Sequence, residues 1–472
     1  MLIREIAAGV QAGKQSAVTL VEQALERAEA VKDYHSLLYI TRDRALARAH
    51  EIDERVAKGE KIGPLAGVPF INKDNIMAFD GPSTAASRVL EHYETPIQAT
   101  VIERLEAAGA ISIGKSNLDA FAHGSSTENS AFGPTKNAVD PTRVPGGSSG
   151  GSATAVALGI APFALGTDTG GSIRQPASLS GVLGIKPTYG LVSRFGAVAM
   201  SSSTDCIGCF ATESDDLDLV MSVISGRDQR DMTTYDSHYQ LGAELPKSVR
   251  IGVIKQFMSS GVDPEVLAST ELAIDQLKAL GHQVSEVDVP EVKYALAIYY
   301  IVVSAEVASN LGRYDGVRYG YRTPDAQDDL QTMYGKSRGE AFESENKRRI
   351  MIGNYVLASG YFEAYYLKAQ KVRTLLIDAL KSAFKNYDFL VGPVTPEPAF
   401  KLGENSADPL KMYMADIMTT PANLAGIPAI SVPSRPTKAG LPIGVQIMAD
   451  TDRDAQLISL TKQLDLKLKE II

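Results

Sequence analysis

A chain of 472 residues with 44 % apolar and 22 % charged residues has the composition of an ordinary globular protein, and it can bury a large core without metals or disulfides. Its net charge of −9 argues against the basic face that nucleic-acid binders rely on, since the longest run of cations is the Lys347-Arg-Arg349 triplet. Two cysteines, Cys206 and Cys209, suit a reducing compartment; the start Met1-Leu-Ile-Arg-Glu lacks a signal-peptide apolar region; and the longest apolar run, 294–305, stops at Glu306, too short to span a bilayer. These features predict a cytoplasmic protein with no membrane partner.

The amino-terminal part begins with helices. Thr19-Leu-Val-Glu22 reads as a capping box, with Leu20, Ala24, Ala28 and Val31 on one helical face. A second helix carries Leu46, Ala49, Ile52 and Val56 and stops at Gly59. Residues 67–71 read as a buried strand that delivers Asn72-Lys73-Asp74, and a helix over 101–108 leads through Gly109 into a strand at 110–113. A helix at 151–158 and a strand at 162–165 follow. The pattern restarts near 246–250, with strands at 249–254 and 283–289 around a helix at 264–280. Long helices over 292–313 and 345–384 come next, then strands at 388–392, 429–433 and 442–448. Alternating strands and helices imply an α/β fold. Length alone suggests about three domains. With no disordered linker, one domain over 1–472 is expected instead: a helical segment about 1–60, a catalytic core about 61–230, and an insertion and carboxy-terminal half about 246–472.

Chemistry concentrates in two glycine-rich stretches, Val144-Pro-Gly-Gly-Ser-Ser-Gly-Gly-Ser152 and Leu165-Gly-Thr-Asp-Thr-Gly-Gly-Ser-Ile-Arg174. They set Ser148 and Ser172 on turns 24 positions apart (172 − 148). Glycine brings backbone N–H groups close to a ligand, and such groups hold a developing oxyanion. Flexible linkers have similar composition, but these stretches sit between strand-like and helix-like segments. A serine needs a base. Of the six histidines, His123 in Ala122-His-Gly-Ser125 comes nearest to such a segment, and it reads more readily as a hydrogen-bonded loop residue. Gly146-Gly-Ser-Ser-Gly150 matches a nucleophile elbow, yet Arg143-Val-Pro145 is a poor strand end, so the match reads as accidental. Lys73 ends an apolar segment, where burial would lower its pKa toward neutrality. A neutral amine beside Ser148 would draw a proton through that hydroxyl from Ser172. Taken alone, Lys73 reads as a surface partner of Asp74; the set of three changes that.

Lys73, Ser148 and Ser172, with their spacing and with Gly184-Ile-Lys-Pro-Thr188, resemble the amidase signature family. The resemblance implies a mixed central β-sheet covered by helices on both faces. It implies that Ser172 is the acylating nucleophile, Ser148 a bridging serine on a cis peptide bond, and Lys73 the terminal base. The N–H groups of Thr169, Gly170, Gly171 and Ser172 would form the oxyanion hole. An amide carbonyl is attacked, ammonia leaves, and water hydrolyses the acyl-enzyme.

Within the family, the chain is most similar to the branch of glutamine-hydrolysing subunits of tRNA amidotransferases. The likeness is carried by Gly124-Ser-Ser-Thr-Glu-Asn-Ser-Ala-Phe-Gly133, Thr188-Tyr-Gly-Leu-Val-Ser-Arg-Phe-Gly196, Arg313-Tyr-Asp-Gly-Val-Arg-Tyr-Gly320 and Gly440-Leu-Pro-Ile-Gly-Val-Gln446. That likeness implies glutamine as substrate and ammonia passed to B and C partner subunits of a heterotrimer, which amidate Glu-tRNA(Gln). ATP and Mg2+ are then expected on the partner, since this chain has no phosphate-binding Gly-x4-Gly-Lys-Ser/Thr loop, and no cofactor or metal is expected here. Arg349 matches the position that grips the α-carboxylate, Asp416 the α-amino group, and Tyr299 a third contact. Read without the resemblance, these three are a helix charge, a surface residue and a core tyrosine.

The chain departs from the family pattern at Asp205-Cys-Ile-Gly-Cys209, where Asp-Gln-Ile-Gly-Pro is common, and at Asp119-Ala-Phe-Ala-His123, where Asp-Glu-Phe-Ala-Met is common. The C-x-x-C lacks a second pair for zinc, and two small buried thiols fit it better than a redox pair. A free-standing amidase for another small amide is the runner-up, and a catalytically dead scaffold protein is a third reading.

Overall fold

In the computed structural model, which describes residues 2–325, 329–405 and 408–471, the alternating apolar segments become one mixed sheet. Met1 of the amino-terminal stretch lies outside the described residues. The strands are β1 (Leu37–Ile40), β2 (Pro69–Lys73), β3 (Ile111–Ser116), β4 (Phe163–Asp168), β5 (Leu183–Lys186) and β6 (Cys206–Ala211). They continue with β7 (Arg250–Ile254), β8 (Gln283–Val287), β9 (Phe389–Pro393), β10 (Ala429–Ser434) and β11 (Ile443–Ala449). Their spatial order is β1-β3-β2-β4-β6-β5-β10-β11-β9-β7-β8. β2 runs parallel to both β3 and β4, and β7 runs parallel to both β8 and β9. β6, β5, β10 and β11 join these two parallel blocks through antiparallel pairings. Every residue of β2, β3, β4, β5, β6, β9 and β11 is buried, so both faces of the sheet are covered, and these strands read as near-continuous apolar runs.

The apolar core divides in two. A larger cluster gathers residues of the sheet and its flanking helices, among them Phe70, Ile71, Leu165 and Ile173. A smaller one gathers Phe121, Ala122, Tyr299, Val303, Leu376 and Met418, mainly from a helical layer.

Three sequence expectations need correction. The first long helix is Ala17–Ala30, capped by Ser16, whose hydroxyl oxygen accepts from Thr19 N; Thr19 itself lies inside the helix. Ser16 wins because Asp53, from the Arg42–Ala57 helix, accepts from the Ser16 hydroxyl and from the amides of Ala17 and Val18, placing an anion at the positive helix end. Residues 345–384 form two helices, Ser344–Leu357 and Lys368–Asn386, with a π-turn at Glu363–Leu367. Between them the chain turns at Gly360, whose φ of +87° favours glycine. Finally, Pro290–Leu311 is a 22-residue helical stretch of mean hydropathy 1.3, longer than the apolar run read from sequence and long enough by length and composition to cross a membrane. Half of it is buried within the protein, where its Ala295–Leu311 helix packs on Ser344–Leu357 and Lys368–Asn386.

The close contact of Ala295–Leu311 with Ser344–Leu357 depends on Gly353, where an added Cβ would stand 2.0 Å from the Ser304 carbonyl oxygen. Gly353→Ala is expected to push the helices apart, costing about 1–3 kcal/mol through overpacking. Calorimetry should show a lower unfolding midpoint; an unchanged midpoint would contradict this packing account.

Candidate active site

β4 ends at Asp168, and the turn 169–172 then feeds the short helix Arg174–Ser180. Asp168 builds that turn. Its buried carboxylate accepts from the amides of Gly171 (2.9 Å), Ile173 (3.2 Å) and Arg174 (3.3 Å). It also takes two bonds from the Arg174 guanidinium at 3.0 Å and one from Asn423 Nδ2 at 2.8 Å. Arg174 is itself fully buried and donates onward to the Thr419 carbonyl, Gln446 and Asn423. Burial alone would raise the Asp168 pKa, but Arg174 outweighs it and holds the group down at about 2. Neighbours crowd the turn on its other side. A Cβ at Gly170 would meet the Tyr299 hydroxyl at 2.6 Å, and one at Gly171 (φ +140°) would meet Thr419 Oγ1 at 2.3 Å.

Lys73, the last residue of β2, is fully buried. Its Nζ donates to three hydroxyls: Ser148 Oγ (2.8 Å), Ser149 Oγ (2.7 Å) and Thr167 Oγ1 (2.8 Å). Burial lowers its pKa to about 7, while the charges of Asp119, Asp168 and Asp205 pull the other way. Ser149 Oγ also donates to the Thr167 carbonyl, whereas Ser148 Oγ has no protein partner but Lys73 among the described residues.

Ser148 follows a cis peptide from Gly147 and precedes the helix Gly150–Ala157. No strand leads into it, which sets the elbow motif aside. The Ser149 amide donates to the Ser172 carbonyl at 3.1 Å and ties the two glycine-rich turns together. The Ser172 hydroxyl makes no hydrogen bond among the described residues, so the two turns are joined here by the Ser149 amide and not through the Ser148 and Ser172 hydroxyls. Among the amides of the turn, Gly171 N–H is engaged by Asp168, while those of Thr169, Gly170 and Ser172 have no intramolecular acceptor among the described residues.

A cavity of about 240 Å³ lies nearby, lined in part by His123, Ser125, Glu345, Arg349 and Tyr413. Arg349 is buried; its Nε donates to Glu345 Oε1 at 2.9 Å, and its guanidinium lies over the rings of Tyr300 and Tyr413. Asp416 accepts from Ser125 Oγ at 2.9 Å and from the Tyr300 hydroxyl at 3.4 Å. Burial raises its pKa to about 7, against the opposing effects of Ser125 and Arg349. The Asp416 carbonyl accepts from Thr419 Oγ1, which also donates to the Gly170 carbonyl, so this segment abuts the serine turn. Tyr299 and the Asp416 segment thus reach the serine turn at Gly170, and Arg349 joins Asp416 through Tyr300, whose ring it covers.

Sequence reasoning singled out none of Ser149, Thr167, Asp168, Arg174, Ser125, Tyr300 or Glu345. Asp168 and Arg174 stood in the quoted motif, and an unmatched charge of each sign inside a glycine-rich turn was their signal. His123 makes no hydrogen bond to Lys73, Ser148 or Ser172; it is buried and hydrogen-bonded to Asn346. Cys206 and Cys209 are free and buried in β6, and burial pushes both thiol pKa values up.

Removing Arg174 would leave the Asp168 carboxylate buried and unpaired. Arg174→Met should therefore cost about 3–5 kcal/mol of stability. Adding Asp168→Asn should recover part of that loss in denaturant unfolding. A double variant as unstable as the single one would show that the charge pair is not the cause.

Residues 19–458 match the Amidase family. The chain is 50 % identical over 462 residues to the A subunit of glutamyl-tRNA(Gln) amidotransferase from Gloeobacter violaceus, covering 97 % of this chain and 94 % of that one. It is 49 % identical to the protein of the same name from Thermosynechococcus vestitus, covering 97 % and 95 %. Among solved structures, the glutamyl-tRNA(Gln) amidotransferase A subunit of Thermotoga maritima superposes with a TM-score of 0.81 at 38 % identity, covering 98 % of this chain and 94 % of that one. A crystal structure of an amidase superposes at 0.84 with 30 % identity, covering 99 % and 100 %. Likeness of this extent, over a sheet and two serine turns built as described, places the chain in the amidase signature family.

Proposed function

We propose that this chain is the glutaminase component of a glutamyl-tRNA(Gln) amidotransferase, with Lys73, Ser148 and Ser172 as its catalytic residues. Lys73 carries the assignment: a fully buried amine with a pKa near 7 sits 2.8 Å from Ser148 Oγ. A lysine in that state serves as a base at neutral pH. Ser148 passes its proton to Lys73 as it accepts the proton of Ser172. Ser172 Oγ then bonds to the carboxamide carbon, and the carbonyl electrons move onto oxygen. The free amides of Thr169, Gly170 and Ser172 would hold that oxyanion, with Gly171 shaping the hole from its bond to Asp168. Collapse breaks the C–N bond, the proton returns through Ser148 to the leaving nitrogen, and ammonia departs. Water then attacks the glutamyl ester by the same relay, releasing glutamate and restoring Ser172.

Glutamine presents one anion and one cation, and the pocket supports both: Arg349 faces the α-carboxylate, ionised Asp416 the α-ammonium, and Tyr299 backs the turn at Gly170. This chain needs no cofactor or metal of its own. ATP and Mg2+ belong to the partner, where B and C subunits bring Glu-tRNA(Gln) to the ammonia in the cytoplasm.

Ammonia release from glutamine, asparagine and aliphatic amides tests the assignment, with and without the B and C subunits and Glu-tRNA(Gln). Glutamine-selective release that rises with the partners and falls at least about a thousandfold in Ser172→Ala is expected. Broad turnover indifferent to partners would indicate a free-standing amidase. Arg349→Ala should chiefly raise the KM for glutamine.

The pH profile follows from two groups. Below pH about 7 Lys73 is protonated and cannot act as base, and Asp416 is neutral and cannot hold an ammonium. The kcat/KM for glutamine should therefore rise with pH up to about 7, more steeply than for an aliphatic amide, which depends on Lys73 alone. Equal slopes would remove Asp416 from substrate binding.

A further inference from the structure

Three amides of the serine turn have no acceptor among the described residues, and what holds each of them differs. A backbone N–H lies in one plane with the carbonyl of the preceding residue, so a bond to that carbonyl fixes where the N–H points. The Asp168 carbonyl accepts from Asn423 Nδ2 at 3.2 Å, which sets the Thr169 N–H. The Gly171 carbonyl accepts from the Gln175 amide at 2.8 Å, which sets the Ser172 N–H. The Thr169 carbonyl accepts nothing among the described residues, so no bond at either end fixes the peptide that carries the Gly170 N–H. Its restraints are indirect. Tyr299 crowds Gly170, Thr419 Oγ1 donates to the Gly170 carbonyl, and the Thr169 hydroxyl donates to Asp205 Oδ1 at 2.7 Å.

Asp205 sits where that last bond requires. It precedes β6, whose Cys206 pairs with Asp168 of β4, so Asp205 and Thr169 face each other where the ladder ends. Asp205 Oδ2 accepts from the amides of Met200 and Ser201, both at 2.9 Å, which leaves Oδ1 to the Thr169 hydroxyl. Desolvation raises the Asp205 pKa to about 6 against these bonds, so at neutral pH the carboxylate is ionised and only accepts. The loop behind it is fastened in turn to the Ala295–Leu311 helix. There Glu306 accepts from the Ser201 hydroxyl and the Ser203 amide, and Asn310 Nδ2 donates to the Met200 carbonyl. The same helix carries Tyr299. We propose that Asp205 is a positioning residue of the oxyanion hole: by holding the Thr169 hydroxyl it fixes Thr169 and keeps the Gly170 N–H aimed at the developing oxyanion. The proposal rests on the reading of Ser172 as nucleophile above.

The test is Thr169→Val in the full chain with its partner subunits, which removes the hydroxyl and keeps the shape of the side chain. Deleting an oxyanion-hole donor costs about a hundredfold or more in kcat, so letting one drift should cost about tenfold. The glutamine KM should stay within about twofold, because the oxyanion exists only in the transition state. An oxyanion forms on every amide, so kcat/KM for an aliphatic amide should fall by the same factor of about ten. Thr169→Ser, which keeps the hydroxyl, should return kcat to within about twofold of the parent. Asp205 also bears on the charge of Lys73, and Thr169→Val leaves that carboxylate in place, so its loss reads the hole alone. Asp205→Ala should lower kcat at least as far, and adding Thr169→Val to it should cost less than about twofold more. Full kcat in Thr169→Val, a loss confined to glutamine or to KM, or an equal cost of Thr169→Val with and without Asp205 would overturn the role of Asp205. Turnover that survives Ser172→Ala would overturn the nucleophile reading and this proposal with it.

Discussion

The buried ion pair between Asp168 and Arg174 is the constraint on which the site depends. A carboxylate placed where a strand ends collects three amides from the next six residues and folds the chain back on itself, and the guanidinium beneath makes its ionisation tolerable in an apolar interior. Arg174 then reaches the Thr419 carbonyl, Asn423 and Gln446, so one cation fastens the serine turn to the segment that holds Asp416 and to β11. A pair this deep is weak evidence for overall stability, because desolvation offsets much of its attraction. Its contribution here is geometric. It points the amides of Thr169, Gly170 and Ser172 away from internal partners.

The same interior treats other charges in the opposite way. Asp168 has a guanidinium in contact and stays ionised, whereas Lys73 sits among three hydroxyls, none of which can carry its charge. Asp416 has hydroxyls from Ser125 and Tyr300 but no cation within ion-pairing distance among the described residues. Groups left without a counter-charge move toward neutrality, and both move to about 7. Within one cluster, therefore, the presence or absence of a direct partner separates a structural charge from two titratable ones.

Sequence made the α/β alternation legible, along with most strands and the glycine-serine turns, because those signals are local. It also put Lys73 next to Ser148, a contact that crosses 75 positions, through a resemblance rather than through any spacing rule. What it missed has physical causes. β1 and β5 are four residues each and β6 is interrupted by Gly208, too little pattern to mark a strand. Ser16 outcompeted Thr19 as a cap because Asp53 approached from another helix. The break at Gly360 was hidden by apolar and aromatic residues that continue a helical rhythm on both sides. Arg174 gave no sign of its role because three of its acceptors, Thr419, Asn423 and Gln446, are all distant in sequence.

The division of the apolar core into two clusters has a consequence for how such a protein can change over generations. Lys73, Ser148 and Ser172 stand on segments anchored in the sheet cluster, while Tyr299 belongs to the helical cluster, whose helices and turns also carry Tyr300, Arg349 and His123. Substitutions within the helical layer leave the apolar packing beneath Lys73 and Ser148 unchanged. The two layers nevertheless meet at the serine turn, where Tyr299 abuts Gly170 and Thr419 bonds the Gly170 carbonyl. A change in the helical layer is therefore tolerated by the sheet and felt at that turn, which makes residues 169–172 the place where drift in one layer is answered by the other.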